Sequence, residues 1–185
     1  MSKLTSDLFT IDDSLRDHAN DPEALSQIVK ELRSSLLQEK DATKRCELFG
    51  ELGVALRVLE KPIEAEAALA ASLKLVQSAK LGVRLETQQR IRFAHVLQWQ
   101  RRFSEASALF DEVILACQEF PEAAPLLAFA HQHSGKNHFD QGKFKEALAD
   151  FEKALALRLE QQAPADQIAS SEHVIRIIKQ KLANF

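Results

Sequence analysis

His95, His131, His133 and His138 are the side chains best suited to hold a metal or move a proton, so their spacing decides whether they can do either. His131 and His133 stand two apart, which on a helix turns them about 200° from each other, and His138 shares the His131 face two turns away. Only His95 with His133, from different helices, could converge, and no carboxylate or cysteine stands at ligand spacing beside them. The pattern points to no metal and to no other cofactor. Cys46 and Cys117 lie within apolar helical patterns with no paired spacing, and read as buried thiols of a reducing compartment. Ser134-Gly135-Lys136 lacks the preceding glycine of a phosphate loop, and neither Gly-x-Ser-x-Gly nor His-Glu-x-x-His occurs. The chain therefore reads as non-catalytic.

The elements that would position these residues repeat along the chain. In Gly135 to Leu155 a helix end is followed by a turn at Gln141-Gly142-Lys143 and by a helix with Ala147, Leu148, Phe151, Ala154 and Leu155 on one face. Stepping back 41 residues at a time from Ala147 reaches Ala106, Ala65 and Ala24. Each alanine is followed four residues later by Phe151, Phe110, Leu69 or Ile28, and Gly135, Ala94 and Gly53 form a further column of small residues. A constant spacing of this kind marks a repeat array, in which no pair of helices can bury its own stripe alone.

These columns resemble the tetratricopeptide repeat: Gly135 with Ala147 and Phe151, Ala94 with Ala106 and Phe110, and Gly53 with Ala65 and Leu69. The long 41-residue period resembles that of kinesin-light-chain-like repeats. The resemblance implies an all-α, right-handed superhelical solenoid of antiparallel helix pairs, forming one domain over residues 1–185. Residues 1–40 make an N-terminal cap or partial repeat, 43–79, 83–119 and 125–160 three full repeats, and 166–183 a capping helix. Pro22, Pro62, Pro121, Pro125 and Pro164 are all expected at helix starts, with Asp21 capping the first. Leu4, Leu8, Phe9, Ile11 and Leu15 read as a short helix on the first repeat, with a frayed segment as the alternative. Gly53 is explained by close helix approach, whereas Gly50 has no evident reason.

The resemblance also implies that the first helix of each pair lines a concave groove. Its columns bring inward Glu47, Gly50, Glu51, Val54 and Arg57; Gln88, Ile91, Arg92, His95, Gln98 and Trp99; Phe129, Gln132, His133, Lys136, Phe139 and Asp140; and His173. Arg92 and Lys136 are spaced to meet one carboxylate, with Trp99 and Phe139 beside them for apolar side chains. The expected partner is a protein or peptide segment joining an acidic residue to one or two large apolar ones. Against this stands the plain reading of Arg92 and Lys136 as solvated charges, and of Trp99 as a cover for the turn near Phe103. Where the chaperone-tail clamps of this family place asparagine, the chain has His95 and Lys136, with Asn137 one position off the face.

Composition limits the alternatives. A net charge of −3 is not the basic footprint that nucleic acid demands. The first residues lack the apolar core of a signal peptide, and the longest apolar run, Ala123 to Ala130, is too short for a bilayer, so a cytoplasmic protein without membrane contact is expected. Two further roles stay open. One is self-association into a homo-oligomer through Ile168, Val174, Ile175, Ile178 and Phe185 of an unpaired last helix; the other is a peptide-sensing regulatory module.

Overall fold

The computed structural model describes residues 4–184. Eight helices follow a short hairpin: α1 (Pro22–Gln38), α2 (Ala42–Val58), α3 (Pro62–Ser78), α4 (Val83–Trp99), α5 (Phe103–Glu119), α6 (Leu127–Asp140), α7 (Phe144–Glu160) and α8 (Ala165–Ala183). Antiparallel neighbours pack α2 on α3, α4 on α5 and α6 on α7, and α2, α4 and α6 lie side by side as one inner layer. The result is a helical solenoid.

Local chemistry accounts for the helix ends. Asp21 accepts from the backbone N–H groups of Glu23 and Ala24, and Pro22 occupies the first turn of α1. Asp41 caps α2 through the Lys44 amide. Between the helices of each pair the chain turns through a residue of positive φ, at Glu60 (57°), Arg101 (62°) and Gly142 (72°). The next amide then reaches back five residues, Lys61 to the Leu56 carbonyl, Arg102 to Leu97 and Lys143 to His138, at 2.9 to 3.0 Å. This is one helix-ending motif used three times at the repeat spacing. Not all prolines begin helices: Pro121 lies in a turn, Pro125 lies in a 3-10 turn (Ala124–Leu126), and α6 starts only at Leu127.

The core follows the repeat columns. Ala65, Ala106, Ala147 and Ala94 are fully buried, as are Leu69 and Phe110, with Phe151 1% exposed. A side chain on Gly53 would overlap Leu69, and one on Gly135 would overlap Phe151, so these glycines let α2 and α6 approach the second helix of their pair. Gly50 has a reason the sequence did not disclose: a Cβ there would collide with the Arg92 guanidinium and Gln89 of α4.

Two expectations fail. The segment before α1 is no helix on the first repeat. A 3-10 turn (Ser6–Leu8) leads into β1 (Phe9–Ile11), which pairs antiparallel with β2 (Asp17–Ala19) in the register Phe9↔Ala19, Thr10↔His18 and Ile11↔Asp17. The Asp12 carboxylate organises the turn by accepting from the Ser14 and Arg16 amides, both at 2.9 Å, and from the Ser14 hydroxyl. Second, α8 does not leave its apolar residues open. Val174, Ile175, Ile177 and Ile178 are buried in one cluster with Phe139, Phe151 and Leu15 of the hairpin. Ile168 is half-buried, and Phe185 lies outside the described residues.

Candidate functional site

The hairpin lies along the inner layer and brings the chain's own charges to the groove. Asp17 sits between two cations on different repeats: the Arg57 guanidinium of α2 at 2.7 Å and the Lys136 ammonium of α6 at 2.9 Å. Arg16 reaches Asp140 of α6 at 2.6 Å, and Gln98 of α4 donates to the same carboxylate at 3.0 Å. Trp99 provides a floor, with the Arg16 guanidinium 4.9 Å and the Arg57 guanidinium 4.8 Å from its ring centre. Leu15, beside Arg16, is 2% exposed.

Burial sets the electrostatics. Burial alone would raise the Asp17 pKa, but Arg57 and Lys136 outweigh it and hold the carboxyl below the usual range. Burial pushes the Arg57 and Lys136 values down, and Asp17 opposes that in both. His95 and His133 stack with ring centres 4.3 Å apart. Burial, with Lys136 and Arg57 nearby, pushes His133 down to about 3 although Asp17 opposes it. Burial and then Arg57 carry His95 well below its ordinary value. Both imidazoles are therefore neutral at pH 7.

Beside Asp17 the groove opens into a cavity of about 250 Å³ lined by Val54, Arg57, Gln88, Ile91, Arg92, His95, Leu126, Phe129 and His133. Three buried polar atoms of these lining residues make no hydrogen bond among the described residues: Arg57 Nη1, His95 Nε2 and His133 Nδ1. Such groups cost free energy in isolation and offer donors or acceptors to an incoming polar group.

The comparisons identify the scaffold. Residues 89–160 match the tetratricopeptide repeat family. Over that stretch the helices are tetratricopeptide repeats, and the helices before and after it continue the same stack. No curated protein matches the sequence significantly. Among solved structures, the fold resembles a Rap protein complexed with competence and sporulation factor, at 16% identity and a TM-score of 0.78, covering 88% of this chain and 45% of that one. It also resembles Bacillus thuringiensis PlcR in complex with the peptide PapR7 and DNA, at 14% identity and a TM-score of 0.74, covering 88% and 58%. BtubC from P. vanneervenii is similar at 14% identity and a TM-score of 0.68, covering 88% and 68%. This chain thus spans less than two thirds of the Rap and PlcR chains.

On this helical scaffold the residues expected at the groove divide three ways. Arg57, Trp99 and Lys136 meet the hairpin, and Gln98 donates to Asp140, the carboxylate that Arg16 also reaches. Arg92, His95, Phe129 and His133 line the open cavity, with Arg57 at its edge. Gln132 and Phe139 serve packing instead: the Arg158 guanidinium ties Gln132 to Ser171 of α8, and Phe139 is buried edge-on to Phe144 at 5.3 Å. The expected pairing of Arg92 with Lys136 on a partner's carboxylate is not what the structure holds: the carboxylate present is the chain's own Asp17. Arg57, not Arg92, partners Lys136; Arg92 is held over Gly50 beside Gln89, at 3.4 Å. Trp99 contacts the hairpin, and the cation above Phe103 is Arg101 at 6.0 Å.

Sequence reasoning missed Arg16 and Asp17 altogether. The available signal was Asp12-Asp13-Ser14, a turn cluster between Thr10-Ile11 and Asp17-His18.

One cluster has the composition of a hydrolytic triad without its geometry. His131, Ser134 and His138 all converge on Asp150, at 2.9, 2.8 and 3.0 Å. The serine hydroxyl donates to the carboxylate rather than to an imidazole, so no base activates it. Burial opposes ionisation of Asp150, yet the hydrogen bonds from His131 and His138 keep its pKa low. The cluster locks α6 to α7. Among the described residues no group of three or more His, Cys, Asp or Glu could hold a metal, and no helix is long and apolar enough to cross a membrane.

Proposed function

We propose that this protein is a non-catalytic interaction module that binds a peptide segment of a partner along the inner face of α2, α4 and α6. The observation that carries the reading is the convergence of Arg57 and Lys136 on one carboxylate. Two cations buried this deeply on different repeats need a counter-charge, and a removable carboxylate on another chain meets that need as well as Asp17 does. Trp99 and Phe129 flank the position with aromatic surface, which suits a large apolar side chain next to the acid. The preferred segment therefore joins an aspartate or glutamate to a large apolar residue.

A peptide-sensing role in the cytosol is the second reading. It is favoured by the fold shared with a Rap protein complexed with competence and sporulation factor and with PlcR bound to the peptide PapR7.

Selection from a displayed random-peptide library tests the proposal. Wild type is expected to enrich sequences with an acid beside a large apolar residue, and Lys136→Met is expected to lose them. Enrichment without an acid, or retained by Lys136→Met, would count against the groove.

A further inference from the structure

The hairpin that fills the inner groove supplies the chemistry that the groove asks of a partner. Asp17 gives the carboxylate for Arg57 and Lys136, Arg16 answers Asp140, and Leu15 the apolar residue beside them. We propose that residues 9–20 are a self-supplied ligand: a hairpin that competes with the partner for the Arg57–Lys136 clamp and must be displaced before an acidic peptide can bind. This rests on the groove reading above and adds to it the rule by which the groove becomes available.

Three observations support displacement. First, the hairpin is a weakly built element. Its strands are three residues long, and hairpins of that size are marginal alone. At its tip Leu15 adopts φ 61°, a left-handed conformation that costs a non-glycine residue about 1–2 kcal/mol. What holds the hairpin is its ion pairs in the groove and the burial of Leu15 against Phe139, Phe151 and α8. Second, the turn is organised from within by Asp12, so the hairpin can leave as a unit and keep its own hydrogen bonds. Third, the hairpin leaves part of the groove's bonding capacity unused. Arg57 Nη1, His95 Nε2 and His133 Nδ1 are buried beside the open cavity and make no hydrogen bond among the described residues. A peptide whose carboxylate replaces Asp17 and whose next polar group enters that cavity gains bonds the hairpin never makes.

That surplus is what displacement requires. A tethered occupant acts at an effective concentration on the order of millimolar, and a partner's apparent affinity falls in proportion to the open fraction. An occupant that met every polar group would never yield. One that meets only some sets a threshold.

Trp99 is the one tryptophan of a chain without tyrosine, and Arg16 lies over it, so its fluorescence reports whether the hairpin is seated. The probe is the synthetic peptide FTIDDSLRDHAN, residues 9–20, titrated into full-length wild type and into full-length Leu15→Ser, Asp17→Asn, with calorimetry alongside. The variant, with its own hairpin released and its helical circular dichroism retained, is expected to bind the peptide at least about tenfold more tightly than wild type. It should not bind the same peptide carrying asparagine at the position of Asp17. Equal affinity for wild type and variant would overturn the hairpin's role while leaving the groove a binding site. No binding to a folded variant would overturn both. Amide exchange on the wild type gives a second measurement should the variant fail to fold. Hairpin amides are expected to exchange about a hundredfold faster than those of α4; protection equal to α4 would make the hairpin a fixed part of the core and end the proposal.

Discussion

Asp17 and Lys136 are 119 positions apart in sequence, and their carboxylate and ammonium meet at 2.9 Å. Arg57, from a third region of the chain, meets the same carboxylate at 2.7 Å. The contact turns a curved stack of helices into a groove with a defined electrostatic demand: whatever occupies it must bring a negative charge.

Removing that charge is costly. Asp17→Asn leaves two buried cations without their counter-charge and is expected to lower stability by about 3 kcal/mol. Urea unfolding of the single variant and of Asp17→Asn, Lys136→Met separates the pair from the residue. The double variant should recover part of the loss, and a loss in the single variant below about 1 kcal/mol would place the ion pair among the weak surface bridges.

Acid should weaken the protein well before its carboxylates protonate. His133 is held down at about 3 and His95 well below its ordinary value, whereas unfolded histidine titrates near 6.5. The unfolded chain therefore binds more protons as pH falls below about 6.5. Stability is lost from there down to the folded values, at up to about 1.4 kcal/mol per pH unit per histidine. Asp17 and Asp150 add to the loss lower still, because their depressed carboxyls contribute stability that disappears below about pH 4. Stability measured against pH should slope steeply between 6 and 4, and His133→Gln should reduce that slope by one proton.

The glycines of α2 and α6 are expected to respond unequally to a methyl group. Gly135→Ala drives a Cβ against the Phe151 ring and the Asp150 side chain, a rigid obstacle, and should cost about 1–3 kcal/mol. Gly50→Ala meets only the far ends of Arg92 and Gln89, which can move, so the gain in helix propensity of about 1 kcal/mol should nearly offset the crowding. Thermal melts of the two variants decide it.

The turn between α2 and α3 offers a stabilising change. Glu60 is exposed and holds φ 57°, where the equivalent position of the third repeat has Gly142 at 72°. Glu60→Gly should raise stability by about 0.5–1 kcal/mol, a melting shift of roughly 2–4 °C for a chain of this size. A lower melting temperature would mean that the side chain of Glu60 contributes something the backbone does not explain.

The repeat columns show why some of this was legible in advance. Ala65, Ala106 and Ala147 solve one packing problem three times, so a single chemistry recurs at a fixed spacing and a pattern discloses it. The inner columns do not recur: Val54, His95 and Lys136 occupy equivalent places, as do Glu51, Arg92 and His133. No periodic rule reads such positions, because each answers to what lies against it.

From its sequence alone the chain determined the helix pairs, their period and their packing residues, since these depend on spacings of three, four and 41 within the chain. The resemblance of its columns to a known repeat implied that Arg57, His95, Trp99 and Lys136 would share one face. Only the tertiary structure decided that the segment before α1 folds as a hairpin into that face, that Asp17 rather than an outside carboxylate sits in the clamp, and that Arg57 replaces Arg92 in it. The physical reason is range. Helix periodicity is a local property, whereas the pairing of a buried charge is settled by which distant carboxylate can reach it, and burial leaves no option of remaining unpaired.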